Sequence, residues 1–336
     1  MNKILCAGES IIDFVSLENG KSLEETVLFS KQSGGSSSNV AVGLARLDIP
    51  AAFTGIIGDD YFGNFLERKL SDSGIDCSLL KKTSKFNTPI VFVGLDKKGN
   101  NDFCFYRDFN LNKEYKITKQ DSHFIKKIKI MHFSSVVLRE INFKFQIAKL
   151  IDYIKFKNRG LIHFDANIRF GLWNNHNILK NVIIQFCKLS DIIKFSEEEL
   201  FFVSNIKNIE KSLKTIKLFK DKLVIVTAGE NGSYTLLNNE LIHIPSFKIN
   251  AVDTTGAGDA FVSAFLSRLY KNKIDSFEIL KNMINKQTIE EWLTFSNAAG
   301  SLNCGQRGAT SGMTSEKNII DFIKEQISNE KNKSCR

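Results

Sequence analysis

The feature that most constrains this chain is a recurrence of short apolar runs, most of them closed within a residue or two by Gly, Asp or Ser, with helical periods between most of them. Leu223-Val-Ile-Val-Thr227, ending at Ala228-Gly229-Glu230, is the plainest example. Lys3 to Gly8, Ala51 to Ile57, Ile130 to Leu138, Leu161 to Phe164 and Asp191 to Phe195 repeat it. Runs without polar alternation suit strands covered on both faces, the condition of a parallel sheet. Amphipathic or strongly periodic helices are expected at Val40 to Leu47, Phe62 to Leu70, Phe143 to Lys157, Ala257 to Leu269, Ser276 to Asn285, Thr288 to Leu302 and Glu316 to Ile327. The chain therefore reads as α/β: a doubly wound, mostly parallel sheet with helices on both faces. At 336 residues, 43% of them hydrophobic, there is enough apolar material for one large domain. That domain is placed at residues 1–330, with a disordered tail at 331–336.

One region departs from the rhythm. Pro89 to Leu95, a turn at Lys97-Lys98-Gly99-Asn100, and Asp102 to Arg107 read as a hairpin with no crossover helix. With the segment around Phe14 to Ser30 it forms a small β lid, about residues 12–33 and 86–112, standing over the site. Tyr234 to Leu237 and Leu241 to Pro245 suggest a second hairpin on the main sheet.

Composition excludes several classes. The formal charge of +9 comes from lysines scattered through helices and the C-terminal end, with no aromatic-interleaved basic motif, so no nucleic-acid partner is expected. Six cysteines show neither a CxxC pair nor zinc spacing, and five histidines form no HExxH pair. Free thiols, the short apolar run Ile4 to Ala7 and the lack of a ~20-residue apolar segment point to a cytoplasmic chain that does not enter a membrane.

The chemistry gathers at Asn250-Ala-Val-Asp253-Thr-Thr255-Gly256-Ala257-Gly258-Asp259-Ala-Phe261. Its glycines allow a tight turn, and the following helix points its positive end at the same spot, a place for polyanionic oxygen. Asp259 is a carboxylate where negative charge should gather. It serves either as a helix cap or as the base that takes a proton from an alcohol during phosphoryl transfer. Upstream, Ser33-Gly34-Gly35-Ser-Ser-Ser-Asn39 opens a helix, with backbone able to approach a ligand and an amide to meet a hydroxyl. Asp13 follows the first strand, and Asp165-Ala166-Asn167-Ile168-Arg169 follows another, both at carboxyl ends where ligands collect. Ser196 and Glu199 make a capping box. A Walker loop is absent: Gly300 and Gly305 have its spacing, but Gln306-Arg307 stands where Lys-Ser/Thr is required.

The paired motifs Gly34-Gly35-Ser-Ser-Ser-Asn39 and Asp253-Thr-Thr-Gly-Ala-Gly-Asp259 resemble those of the ribokinase-type (PfkB) carbohydrate kinases over nearly the whole chain. Asp165-Ala-Asn167-Ile-Arg169 with Leu172-Trp173 is similar to the fructokinase branch, with Ala166 where Pro is usual. The resemblance implies a ribokinase-like fold and an ATP-dependent kinase acting on a ketose, fructose first. A 2-keto-3-deoxygluconate kinase is the alternative, and a catalytically silent scaffold a third. It implies Asp259 as base, with Gly256, Ala257 and Gly258 as the anion hole. Asp13, Gly34, Gly35, Asn39, Arg107, Asn167 and Arg169 would hold the sugar. Ser196, Thr227, Gly229 and Asn297 would meet the nucleotide, although Ser196 stands where the family has Asn. Glu199 would organise Mg2+ through water, and Asp253, Thr255 and Gly308 a monovalent cation, K+. A homodimer through the lid is implied as well. A helix N-terminus lowers a carboxylate's pKa. Asp259 is therefore expected to be a weak but well-aimed base.

Overall fold

The computed structural model describes residues 3–18, 20–95, 101–106 and 109–334. Its thirteen strands there are β1 Lys3–Ala7, β2 Ile11–Ser16, β3 Phe29–Gly34, β4 Ala51–Gly58, β5 Asp76–Thr83, β6 Ile90–Leu95, β7 Asn101–Tyr106, β8 Ile128–Ser134, β9 Leu161–Asp165, β10 Ile192–Ser196, β11 Leu223–Thr227, β12 Ser233–Leu237 and β13 Glu240–Ile244. Nine form one sheet in the order β13-β12-β11-β10-β9-β8-β1-β4-β5, parallel from β11 to β5. β12 and β13 close it as the expected antiparallel hairpin. The order reverses at β1, which pairs β4 on one side and β8 on the other. In such sheets the crevice outside the strand ends at the reversal is where ligands bind.

Two apolar layers cover the sheet. One packs Phe133, Phe164 and Phe186 beneath the helices Ile141–Asp152 and His176–Leu189. The other packs Val40, Leu44, Phe261 and Phe265 from the helices Ser36–Arg46 and Ala257–Lys271. These last two helices touch closely, because a β-carbon built on Gly43 would lie 2.4 Å from the Ser263 hydroxyl oxygen. Small residues at that crossing let two helix N-termini approach side by side.

The remaining four strands form a separate sheet, β3-β2-β6-β7. Its pleat sorts its side chains: Ile11, Asp13, Val15, Val91, Val93 and Phe105 look one way, and Ile12, Phe14 and Ile90 pack with Phe62 and Leu66 the other. The turn at 97–100 and Arg107 lie outside the described residues.

Several expectations need correction. β8 stops at Ser134, where its last partner Asp165 ends β9, and a 3₁₀ turn, Ser135–Arg139, replaces the expected strand to Leu138. The helix from 141 is α only to Asp152 and continues as a π turn, Tyr153–Lys157. The final helix runs from Glu316 to Ser334, so residues 331–334 of the expected disordered tail are helical. β5 escaped sequence reading because Asp76-Cys-Ser-Leu-Leu-Lys-Lys-Thr83 is a half-buried edge strand with no apolar run. Gly43→Val is expected to lower stability by about 1–3 kcal/mol through overpacking, read as a lower urea midpoint. It should also slow turnover, since the crossing it wedges open holds the groups described next.

Candidate active site

Asp259 lies in the first turn of the helix Ala257–Lys271, and the chain reaches it through Gly256 in a left-handed conformation, φ 75°. A side chain at 256 would be strained there and would also collide with the Ala309 carbonyl. The carboxylate is buried, and both oxygens are taken up by the neighbouring helix: Ser36 Oγ donates to Oδ1 at 2.7 Å and Asn39 Nδ2 to Oδ2 at 2.8 Å. Ser36 went unremarked in the sequence, and Asn39, expected on a sugar hydroxyl, gives its amide nitrogen to the carboxylate. Burial raises the pKa of Asp259, against the pull of those two hydrogen bonds and of Arg169 and Lys194. The expected lowering therefore does not hold, because loss of water outweighs the favourable neighbours. Asp259 is a better base than its place at a helix start suggests, and its partners are hydrogen-bonded side chains from another helix.

Two cavities adjoin at Asp259. The larger, about 350 Å³, is lined by Asp165, Lys194, Ser196, Glu199, Gly256 and Gly258 among others. The smaller, about 70 Å³, holds Glu9, Asp13, Gly35, Asn39 and the lid side chains Val91 and Phe105. Asn167, Arg169, Phe103, Thr255, Gly256 and Asp259 line both. Asn167 is buried with φ 34°, and its amide nitrogen has no hydrogen-bond partner, as suits a group that meets a ligand. Phe103 of β7 lies over the Arg169 guanidinium, 6.0 Å from ring centre to carbon, so the second sheet reaches the cavity wall. The lone Lys194 in Ile192-Ile-Lys-Phe195 was the missed signal, since a charge in a doubly covered strand must be paired or functional.

The paired glycines 34 and 35 have distinct tasks. Gly35 precedes the helix Ser36–Arg46 at φ 104°, and a β-carbon on Gly34 would strike the Asp13 carboxylate. Burial, then Glu9, pushes Asp13 up to about 7 against the pull of Arg169. Glu199 forms the capping box with Ser196, its Oε2 accepting from Ser196 N at 2.7 Å, while Oε1 accepts from Ile168 N at 2.6 Å. Asp253 is tied likewise, to Thr255 N and Gly308 N, each at 2.8 Å. Asp253, Thr255 and Gly308 are thus brought together. Thr227 pairs in register with Ser196 at the sheet rim, and Gly229 follows at φ 54°. Asn297 donates its amide to the carbonyls of Ile244 and Pro245, away from the two cavities. Ala257 does not line the large cavity, and its N–H reaches the Thr254 carbonyl at 3.3 Å.

Among the described residues no three His, Cys, Asp or Glu side chains converge as metal ligands. Asp165 and Glu199 on the cavity wall fit a cation that is carried by an anionic ligand and held through water. His132 and His163 do meet, Nδ1 to Nδ1 at 3.0 Å, but buried in adjacent strands below the cavity. No described helix is long and apolar enough to cross a membrane.

A model of the pfkB family carbohydrate kinases matches residues 1–316. Fructokinase-1 of Zea mays is 32% identical over 322 residues, 95% of this chain and 97% of that protein. A double-mutant fructokinase from Vibrio cholerae O395, solved in its fructose, ADP and potassium ion bound form, superposes with TM-score 0.80 at 27% identity, covering 96% of this chain and 98% of that one. A fructokinase from Xylella fastidiosa with bound ATP superposes with TM-score 0.83 at 26% identity, covering 96% and 98%.

The titration of Asp13 is testable. Its carboxyl holds a proton up to about pH 7 in the fold, whereas an unfolded Asp loses it near 4. The native state therefore binds the extra proton between those values, and stability falls as pH rises through that window. Asp13→Asn should remove that part of the slope, measured as the change in melting temperature from pH 5 to pH 8 in variant and parent.

Proposed function

The chain belongs to the pfkB family of carbohydrate kinases, and from that premise we propose that it transfers the γ-phosphoryl of Mg-ATP to a ketose hydroxyl, converting fructose to fructose 6-phosphate. The observation that carries this reading is Asp259, a buried, doubly hydrogen-bonded carboxylate standing where a large polar cavity meets a small one. The lining of the small cavity suits a sugar's hydroxyls, and that of the large one suits phosphates. Asp13, Gly34, Gly35, Asn167 and Arg169 surround the sugar, Asn39 with Ser36 orients the base, and Arg107 belongs to the same set by resemblance.

In the reaction Asp259 takes the hydroxyl proton as the sugar oxygen bonds to phosphorus. The backbone N–H groups of Gly256 and Gly258 and the helix dipole meet the phosphoryl oxygens. Magnesium carried by the nucleotide would supply charge neutralisation at the phosphates. Glu199 would hold it through water, and Ser196, Thr227, Gly229 and Asn297 would serve the nucleotide. Asp253, Thr255 and Gly308 would form a potassium site supporting the anion hole. A sugar acid is the weaker substrate reading. Among the described residues of the small cavity, Arg169 is the one cation, and it stands with three acids, Glu9, Asp13 and Asp259. No surplus positive charge awaits a substrate carboxylate.

We further propose a cytoplasmic homodimer paired through the lids. Cys6 and Cys187 are buried and unpaired, which suits a reducing compartment. Val27 and Leu28, at the turn of the lid, are 78% and 59% exposed. An apolar tip of that kind suits a self-association surface. A Val27→Glu/Leu28→Glu variant should sediment at half the parent's mass if the lids pair; an unchanged mass would remove that part of the proposal.

The kinase reading is tested by ADP release from Mg-ATP with fructose, 2-keto-3-deoxygluconate, ribose, tagatose and adenosine, with and without potassium. Fructose is expected to be turned over fastest, and faster with potassium. Asp259→Asn should lower turnover by about 10²–10⁴-fold with an unchanged circular dichroism spectrum. Near-parental activity in that variant would remove Asp259 from the base role.

A further inference from the structure

β10 carries one charge among its apolar residues, and the reaction as derived gives it no task. Lys194 is buried, and its ammonium lies 3.2 Å from the carboxylate of Asp165, its register partner on β9. The same ammonium lies 3.2 Å from the point where a β-carbon on Gly258 would stand. It therefore rests against the first turn of the helix Ala257–Lys271. It also lines the large cavity beside Gly256, Gly258 and Asp259.

A strand-to-strand tie does not account for this placement. An ammonium beside the positive end of a helix dipole is unfavourably placed unless an anion meets both. Gly258 has helical backbone and needs no glycine for its conformation, so its missing side chain serves to leave the approach to Lys194 open. Buried ion pairs are, moreover, seldom more stable than apolar replacements of the same size. Burial opposes the charge on Lys194, but Asp165, Glu199 and Asp259 more than offset it and hold the side chain protonated.

Resting on the kinase reading above, we propose that Lys194 is a catalytic residue whose ammonium meets the oxygens of the phosphoryl group in transfer, alongside the N–H groups of Gly256 and Gly258. In that step the bond from the γ-phosphorus to the ADP oxygen breaks, with the electron pair staying on ADP. The sugar oxygen forms the new bond and its proton passes to Asp259. Lys194 keeps its protons throughout and acts by charge alone. Its effect is concentrated in the transition state, where charge spreads over the three oxygens in flight.

The test compares Lys194→Met with the parent for fructose turnover and for two affinities in the presence of fructose, ADP alone and ADP with aluminium fluoride, an analogue of the phosphoryl in flight. Turnover and analogue affinity should both fall by about 10²–10³-fold, while ADP affinity stays within about threefold. Unchanged analogue affinity in folded protein, or equal weakening of both complexes, would overturn the proposal, since a merely structural lysine predicts one or the other. If the lone substitution prevents folding by leaving Asp165 unpaired, Lys194→Met/Asp165→Asn removes both charges and is read by the same comparison. A parent enzyme inert toward every sugar in the panel would be a different failure, that of the kinase reading itself, and the role of Lys194 would fall with it.

Discussion

The site depends on one buried carboxylate shared between two helices. Asp259 is contributed by one helix and held by Ser36 and Asn39 of another, more than two hundred residues earlier in the chain. The contact exists because Gly43 and Ser263 let the helices cross closely, and because Gly35 and Gly256 start both helices in backbone conformations that other residues resist. The hydrogen bonds favour the ionised form and burial disfavours it. Balance between them leaves an oriented group with a raised proton affinity, the property a base needs.

Charge is distributed unevenly around that group. The small cavity carries Glu9, Asp13 and Asp259 with Arg169 alone opposite in sign, so it has no surplus positive charge and suits a neutral polyhydroxyl ligand. The large cavity adds Lys194 and the helix N-terminus to Asp165 and Glu199, so it suits phosphates accompanied by a cation. Asn167, Arg169 and Phe103 sit on the boundary, the last brought there by the second sheet. That sheet has one face toward the cavities and the other on Phe62 and Leu66. It therefore links ligand contact to the main body through packing.

Much of this was legible in the residues. The strand at Leu223–Thr227 has the expected bounds because an uninterrupted apolar run between turn formers admits little else. The glycine–aspartate stretch identified the helix start and its carboxylate. What failed did so for local reasons. β5 is an edge strand with little burial pattern, and β8 is shortened by the end of its neighbour, which no property of Ile130 to Leu138 records. Lys194 was readable as a charge in a covered strand. Its partner Asp165 and its approach to Gly258 were not, since each lies on a separate element.

The sequence alone determined the alternating α/β order, the two glycine motifs, the pairing of Ser196 with Glu199 and the absence of other phosphate-binding loops. All are short-range, set by backbone preference and by periodicity over a few residues. Only the tertiary structure decided what Asn39 donates to, why Gly258 lacks a side chain, that Asn297 turns toward Ile244 and Pro245, and that burial raises Asp259. Those outcomes depend on distances between elements and on the exclusion of water, and neither is written in any single segment.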